Sequence, residues 1–183
     1  MKGIVFTEFF ELVEDKFGIE MVDSIIEQAD LPNAGAYTSV GTYDHSELVR
    51  LVQKLSQATQ VEVGVLIKVF GEYLFGRLVA GHPGFLEGMD SAEQMLRSVH
   101  GIIHIEVKKL YPKAELPSFT YDTHADGRLI MVYSSTRGFA DLAEGLILGC
   151  AAHFKESAEI ESEDLSEGQG TDVRFTIRFG ALV

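Results

Sequence analysis

Tyr133, Ser135 and Arg137 recur at every second position, between the apolar run Leu129-Ile130-Met131-Val132 and a helix-like run that starts near Phe139. Side chains two apart on a strand share a face, so this spacing predicts one row of a phenol, a hydroxyl and a guanidinium. Such a row can clamp an anion: the guanidinium fork takes a carboxylate in two parallel bonds, and the hydroxyls donate to the remaining oxygens. Read alone, the Y-x-S-x-R pattern equally suits a polar strand edge facing solvent, because short motifs recur by chance. A second set of residues lies in MLRSVHGIIHIEVKKLYP. On a continuous helix His104 shares a face with His100, Gly101, Val107, Lys108 and Tyr111. Gly101 costs such a helix about 1 kcal/mol relative to alanine, and it leaves room for a flat group beside the imidazole. A histidine on an apolar helix face is either packed core or a metal ligand. The His100/His104 spacing also suits zinc, but Gly101 stands where the H-E-x-x-H protease motif carries its glutamate.

The elements that must hold these residues follow from periodicity. Val5, Phe9, Leu12, Val13 and Phe17, then Val22, Ile25 and Ile26, recur at helical spacing. Pro32-Asn33-Ala34-Gly35 ends that pattern, a short extended piece from Tyr37 to Tyr43 is expected, and a helix resumes at Ser46 and ends near Thr59. A further helix is predicted from Val61 to Ala80. Asp90-Ser91 caps one long helix that carries His104 and closes at Tyr111-Pro112. After Pro117 the pattern turns to strands: a hairpin with a tight turn at Asp126-Gly127, a helix from Ala140 to Phe154, and strands near Ala158–Ser162 and Asp172–Phe179. The expected class is α+β, with an N-terminal helical subdomain over 1–60 and a larger portion over 61–183 whose helices pack on an antiparallel sheet of about four strands.

Composition excludes several functions. With 183 residues, 46% of them hydrophobic, the chain has enough apolar material for one domain that encloses a small ligand. A formal net charge of −13 without a segregated basic patch argues against nucleic acid and anionic membranes as partners. The single cysteine, Cys150, sits in an apolar helical segment and reads as a buried thiol, which excludes an internal disulfide and a multi-cysteine zinc site. Glu8 and Glu11 interrupt the apolar N-terminal run before a signal core or membrane span forms, so a cytoplasmic protein is expected.

An imidazole on one helix, a carboxylate clamp on a strand and an apolar pocket between them suit heme, whose iron takes histidine and whose two propionates need Arg and hydroxyl partners. At this point the sequence resembles the heme nitric oxide/oxygen binding (H-NOX) family, the bacterial stand-alone relatives of the heme domain of soluble guanylate cyclase. The resemblance runs from MKGIVF through GEYLFG at 71–76, the His104 helix and Y-x-S-x-R to DLAEGLILG. It implies ferrous heme b with His104 as the proximal iron ligand, seven positions before the Tyr-Pro that closes its helix. Tyr133, Ser135 and Arg137 then hold the propionates, and Pro117 and Val5 pack on and distort the porphyrin. The heme would lie between the proximal helix and distal helices.

The same resemblance assigns Phe9, Leu74, Leu142 and Leu146 to the distal gas pocket. Oxygen-binding members carry a distal tyrosine where Leu142 stands here, and bound dioxygen needs such a donor because of its superoxide character. NO and CO binding without stable dioxygen binding is therefore expected, in a sensor and not an enzyme. NO weakens the trans iron–imidazole bond, and the family mechanism has the freed histidine shift its helix. Signalling is expected in trans, through a histidine kinase or a cyclic-di-GMP enzyme. Two rival readings remain at this stage: a heme-free module that buries an apolar ligand or partner helix, with Arg137 on a carboxylate, and a His100/His104 metal hydrolase.

Overall fold

The protein is described by a computed structural model over residues 1–182. It comprises two compact units, Met1–Phe70 and Gly71–Val183, so the division falls at residue 70, where the sequence pattern suggests residue 60.

In the first unit, α1 (Gly3–Phe17) buries Phe6, Phe9, Leu12 and Val13 along one stripe. Gly18, at φ 85°, ends it and starts α2 (Ile19–Gln28), which buries Val22 and Ile25. The next helix, α3 (His45–Thr59), begins where the Asp44 side chain accepts from the Ser46 amide at 2.8 Å, satisfying one of the free N–H groups of a helix start. The expected extended piece from Tyr37 to Tyr43 is instead a loop with one bridge, Lys2 to Thr42. Aromatic packing overrides strand propensity there: the Tyr37 ring stacks on Phe6 at 4.3 Å, and Tyr43 meets the same ring edge-on at 5.6 Å.

Helix α4 (Val63–Gly81) leads into the second unit. There α5 (Ala92–Ser98) starts where Ser91 accepts from the Gln94 amide, as expected of the Asp90-Ser91 cap. The single long helix predicted to follow is not continuous. A π-turn over Val99–Ile103 separates α5 from α6 (His104–Leu110), and the His104 amide donates to the Val99 carbonyl five residues back. Strands β1 (Ser118–Thr123), β2 (Leu129–Ser134), β3 (Glu156–Asp164) and β4 (Asp172–Ala181) form an antiparallel sheet in the order β1-β2-β4-β3. The α+β class and the four-stranded antiparallel sheet expected from the sequence are both present.

Helix α7 (Ala140–His153) packs on one face of this sheet. Phe119, Leu129, Met131, Tyr133, Val173, Phe175 and Ile177 point into that core, and Met95 and Leu96 of α5 join Ile147 and Cys150 of α7 against them. The other face carries cross-strand ion pairs such as Arg174 with Glu163 and Arg128 with Glu161. The Asp126-Gly127 turn lies in a loop closed by a 2.8 Å bond from the His124 amide to the Arg128 carbonyl.

Candidate functional site

His104 opens α6 directly after the π-turn. Its Nδ1 is buried without a hydrogen-bond partner. Burial and the neighbouring His100 pull its pKa down to about 4, with Lys108 adding to the effect and the Pro117 backbone opposing it without offering an aligned acceptor. The ring is therefore neutral at pH 7, the form in which imidazole donates to a metal. An unsatisfied buried nitrogen costs about 1–3 kcal/mol, so the protein alone does not complete the surroundings of this ring.

Phe119 of β1 lies between His104 and the clamp. Its ring centroid is 5.8 Å from the His104 ring and 5.8 Å from that of Tyr133. Tyr133 faces the core, where its hydroxyl accepts from the Phe139 amide at 3.1 Å. That phenol keeps its own proton to donate elsewhere.

The row of three expected on the strand needs correction. Strand β2 ends at Ser134, Ser135 is in coil, and Arg137 lies in a turn. The Ser135 amide donates to the Thr171 carbonyl at 2.8 Å, and the Arg137 amide donates to the Ser135 hydroxyl at 3.3 Å, which folds the chain back after the last ladder pair. Gly138 completes the turn at φ 63°, and a Cβ there would come within 2.9 Å of the Gln169 carbonyl oxygen. The guanidinium itself is mostly covered, at 17% exposure, and it grips the carboxylate of Glu115, which is 79% exposed. A carboxylate thus already sits on Arg137, the group its planar fork is suited to hold.

The remaining predicted residues are spread over both units. Val5 is half-buried on α1, and Phe9 on the same helix is fully buried, with its ring edge-on to Phe70 at 5.3 Å. In the second unit Leu74 is buried on α4, while Leu142 and Leu146 are half-buried on α7. The two helices approach backbone to backbone there: a Cβ on Gly71 would lie 2.5 Å from the Leu142 carbonyl oxygen, and one on Gly149 would lie 2.6 Å from that of Glu72. Pro117 is half-buried just before β1. A Cβ on Gly101 would meet no protein atom within 4 Å, so protein packing does not demand glycine there.

Sequence reasoning missed two participants, Glu115 on the clamp arginine and Phe119 between the rings; His100, weighed there as a partner of His104 for zinc, instead accepts from the Phe119 amide through its Nδ1 at 3.3 Å. The alternation of Phe119 with Tyr121 in β1 was the available signal for the second. Nothing in the sequence pattern marked Glu115. Among the described residues no group of three or more His, Cys, Asp and Glu side chains is placed to hold a metal ion.

A neutral histidine with an unsatisfied nitrogen and a guanidinium already loaded with a carboxylate fit the two needs of heme, an axial ligand and propionate partners. The family described as HNOB, Haem-NO-binding, matches residues 2–162. Among solved structures, the Fe(II) unliganded H-NOX protein from K. algicida is 43% identical with a TM-score of 0.92, covering 98% of this chain and 97% of that one. An H-NOX from Shewanella woodyi in the Fe(II)CO ligation state is 46% identical with a TM-score of 0.82, covering 97% and 93%. An H-NOX protein from S. oneidensis in the Fe(II)NO ligation state is 27% identical with a TM-score of 0.90, covering 98% and 99%. Through the match over 2–162 and these likenesses along nearly the whole chain, the protein belongs to the Haem-NO-binding (H-NOX) family of heme-based gas sensors.

Proposed function

We propose that this protein senses nitric oxide, and binds CO, at ferrous heme b held by His104, that it forms no stable dioxygen complex, and that it regulates a separate signalling protein in the cytoplasm. One observation carries the reading: the neutral, incompletely bonded His104 ring is linked through Phe119 to Tyr133 at the head of the Y-x-S-x-R segment.

When bound, heme would supply a ferrous iron able to take a diatomic gas. His104 would hold that iron. His100 is less suited to that task, because its Nδ1 is already engaged by the Phe119 amide. Arg137 exchanges Glu115 for a propionate, with Ser135 and the free phenolic proton of Tyr133 as the remaining donors. Pro117 and Val5 pack on the porphyrin, a role that rests on the family resemblance. The family resemblance assigns Phe9, Leu74, Leu142 and Leu146 to the gas side, and none carries a polar hydrogen. Without a donor there, dioxygen loses the hydrogen bond it depends on, whereas NO and CO lose little. The known ligation states of the relatives, Fe(II)NO and Fe(II)CO, support those two gases as ligands.

His104 also opens a helix of its own, α6, separated from α5 by the π-turn. Were a bond from His104 to iron to weaken, the residue would be free to move with α6 while α5 stays packed in the core, a two-state movement that a histidine kinase or a cyclic-di-GMP enzyme would read. Among the described residues no helix is long and apolar enough to cross a membrane, in keeping with that setting.

The test is the visible absorption spectrum of heme-loaded protein, reduced without oxygen and then exposed separately to NO and to air. A five-coordinate ferrous Soret band that shifts with NO and gives no stable oxy form is expected. The His104→Gly variant should lose its heme unless imidazole is supplied. A stable oxy spectrum overturns the distal assignment. Absence of a Soret band after reconstitution overturns the heme reading and returns the weight to a heme-free binding module.

A further inference from the structure

The π-turn that precedes His104 is pinned at its other end. His100, its second residue, reaches the edge of the sheet, where its Nδ1 accepts the Phe119 amide at 3.3 Å. Phe119 pairs with Tyr133 across the β1–β2 ladder, and β1 is an edge strand, so this bond covers an amide at an open side of the sheet. One residue thus offers its backbone to His100 and its ring to His104 and Tyr133.

We propose that His100 is a positioning residue for His104: by clipping the π-turn to the Phe119 amide it holds the Phe119 ring against the imidazole and sets the angle at which His104 meets iron. The inference rests on the heme reading above and deepens it.

Three features of the geometry argue for positioning and against mere surface polarity. The bond links residues 19 apart in sequence, between a helical segment and a strand. It uses the ring nitrogen as an acceptor, which fixes the His100 proton on Nε2 and orients the ring. Finally, it bridges the one interruption in the α5–α6 helical run, where the backbone already departs from α geometry and a lateral tie has most influence. A π-turn without such a tie is free to relax toward α geometry and rotate His104 about the helix axis.

The experiment compares wild type with His100→Leu and His100→Asn. Asparagine puts Oδ1 close to where Nδ1 stands and can accept the same amide proton, while leucine cannot accept at all. Two quantities are read: hydrogen exchange at the Phe119 amide in heme-free protein, and the iron–histidine stretching band of reduced, unliganded holoprotein by resonance Raman. His100→Leu should speed exchange at Phe119 by at least about tenfold and shift or broaden the iron–histidine band. His100→Asn should restore both toward wild type.

Unchanged exchange in His100→Leu overturns the clip. Faster exchange with an unchanged iron–histidine band overturns the positioning role, as does an asparagine variant that restores exchange without the band. Should His100→Leu fail to fold, His100→Ala, which likewise offers no acceptor, takes its place under the same criteria. Loss of heme in wild type would show as a missing Soret band and belongs to the earlier reading, while the exchange measurement on heme-free protein still decides whether the clip exists.

Discussion

Tyr133 has two tasks that one substitution can separate. In the proposed function its phenolic proton goes to a propionate, but its oxygen already accepts from the buried Phe139 amide at the start of α7, where no side chain of that helix caps the end. Free N–H groups at a helix start need such partners. Tyr133→Phe removes that acceptor and the hydrogen bond with it, at a cost of about 0.5–1.5 kcal/mol. The heme-free variant is expected to melt several degrees lower than heme-free wild type by circular dichroism. An unchanged melting temperature would mean that the residue serves the ligand alone. His104 behaves in the opposite sense, since its burial without a bond is already a cost to the heme-free protein, and heme loading should raise stability by more than propionate contacts supply.

At the scale of elements, the approach of α4 to α7 within the second unit makes the sharpest prediction. A methyl at Gly149 would collide with the Glu72 carbonyl oxygen at 2.6 Å and the Phe75 Cβ at 2.7 Å, and neither group can swing aside. Gly149→Ala should therefore cost about 1–3 kcal/mol in denaturant unfolding, and should displace Leu142 and Leu146, which the proposed function assigns to the gas side. Near-wild-type stability would mean that the helices can separate freely. These helices were legible in the sequence because their apolar spacing persists over many turns, as were the strands that alternate Leu129, Met131 and Tyr133 into the core. Shorter features were hidden. A π-turn of five residues changes hydrogen bonding from four to five residues back without disturbing the apolar pattern of Val99, Ile103 and Val107. Strand β2 was read through to Arg137 because alternation continues in the letters, although pairing stops at Ser134 and the positive φ of Gly138 demands a turn. Of the site, the residue types of His104, Tyr133 and Arg137 were readable. The contacts that orient them, with Phe119, Phe139 and Glu115, depend on chain segments brought together only by the fold.

Across the whole molecule the buried acids face one way. Burial raises the Cys150 thiol to about 12, with Glu156 adding to it, and raises the Tyr121 phenol to about 12 against small opposing effects from the His100 backbone and Arg97. Burial and the bond to Glu47 push Tyr37 up as well, and Tyr37 lies in the other unit. In each case the unfolded chain ionises first. A thiol whose ordinary pKa is 9.0 releases its proton in the unfolded state while the folded state still holds it, so stability is fully present below about pH 9 and is lost as pH rises toward 12. Linkage puts the Cys150 share on the order of 1 kcal/mol by pH 10. The growing repulsion of a chain already at −13 acts in the same direction, but salt screens it and leaves proton linkage at buried groups largely intact. Urea midpoints of the heme-free protein measured from pH 7 to 11 in high salt should stay level to about pH 9 and then fall. Cys150→Ala should delay the fall until the tyrosines begin to ionise, whatever its own offset at pH 7. A wild-type midpoint that stays level to pH 11, or a Cys150→Ala profile with the same slope from pH 9, would show that the thiol ionises as easily in the folded core as in water.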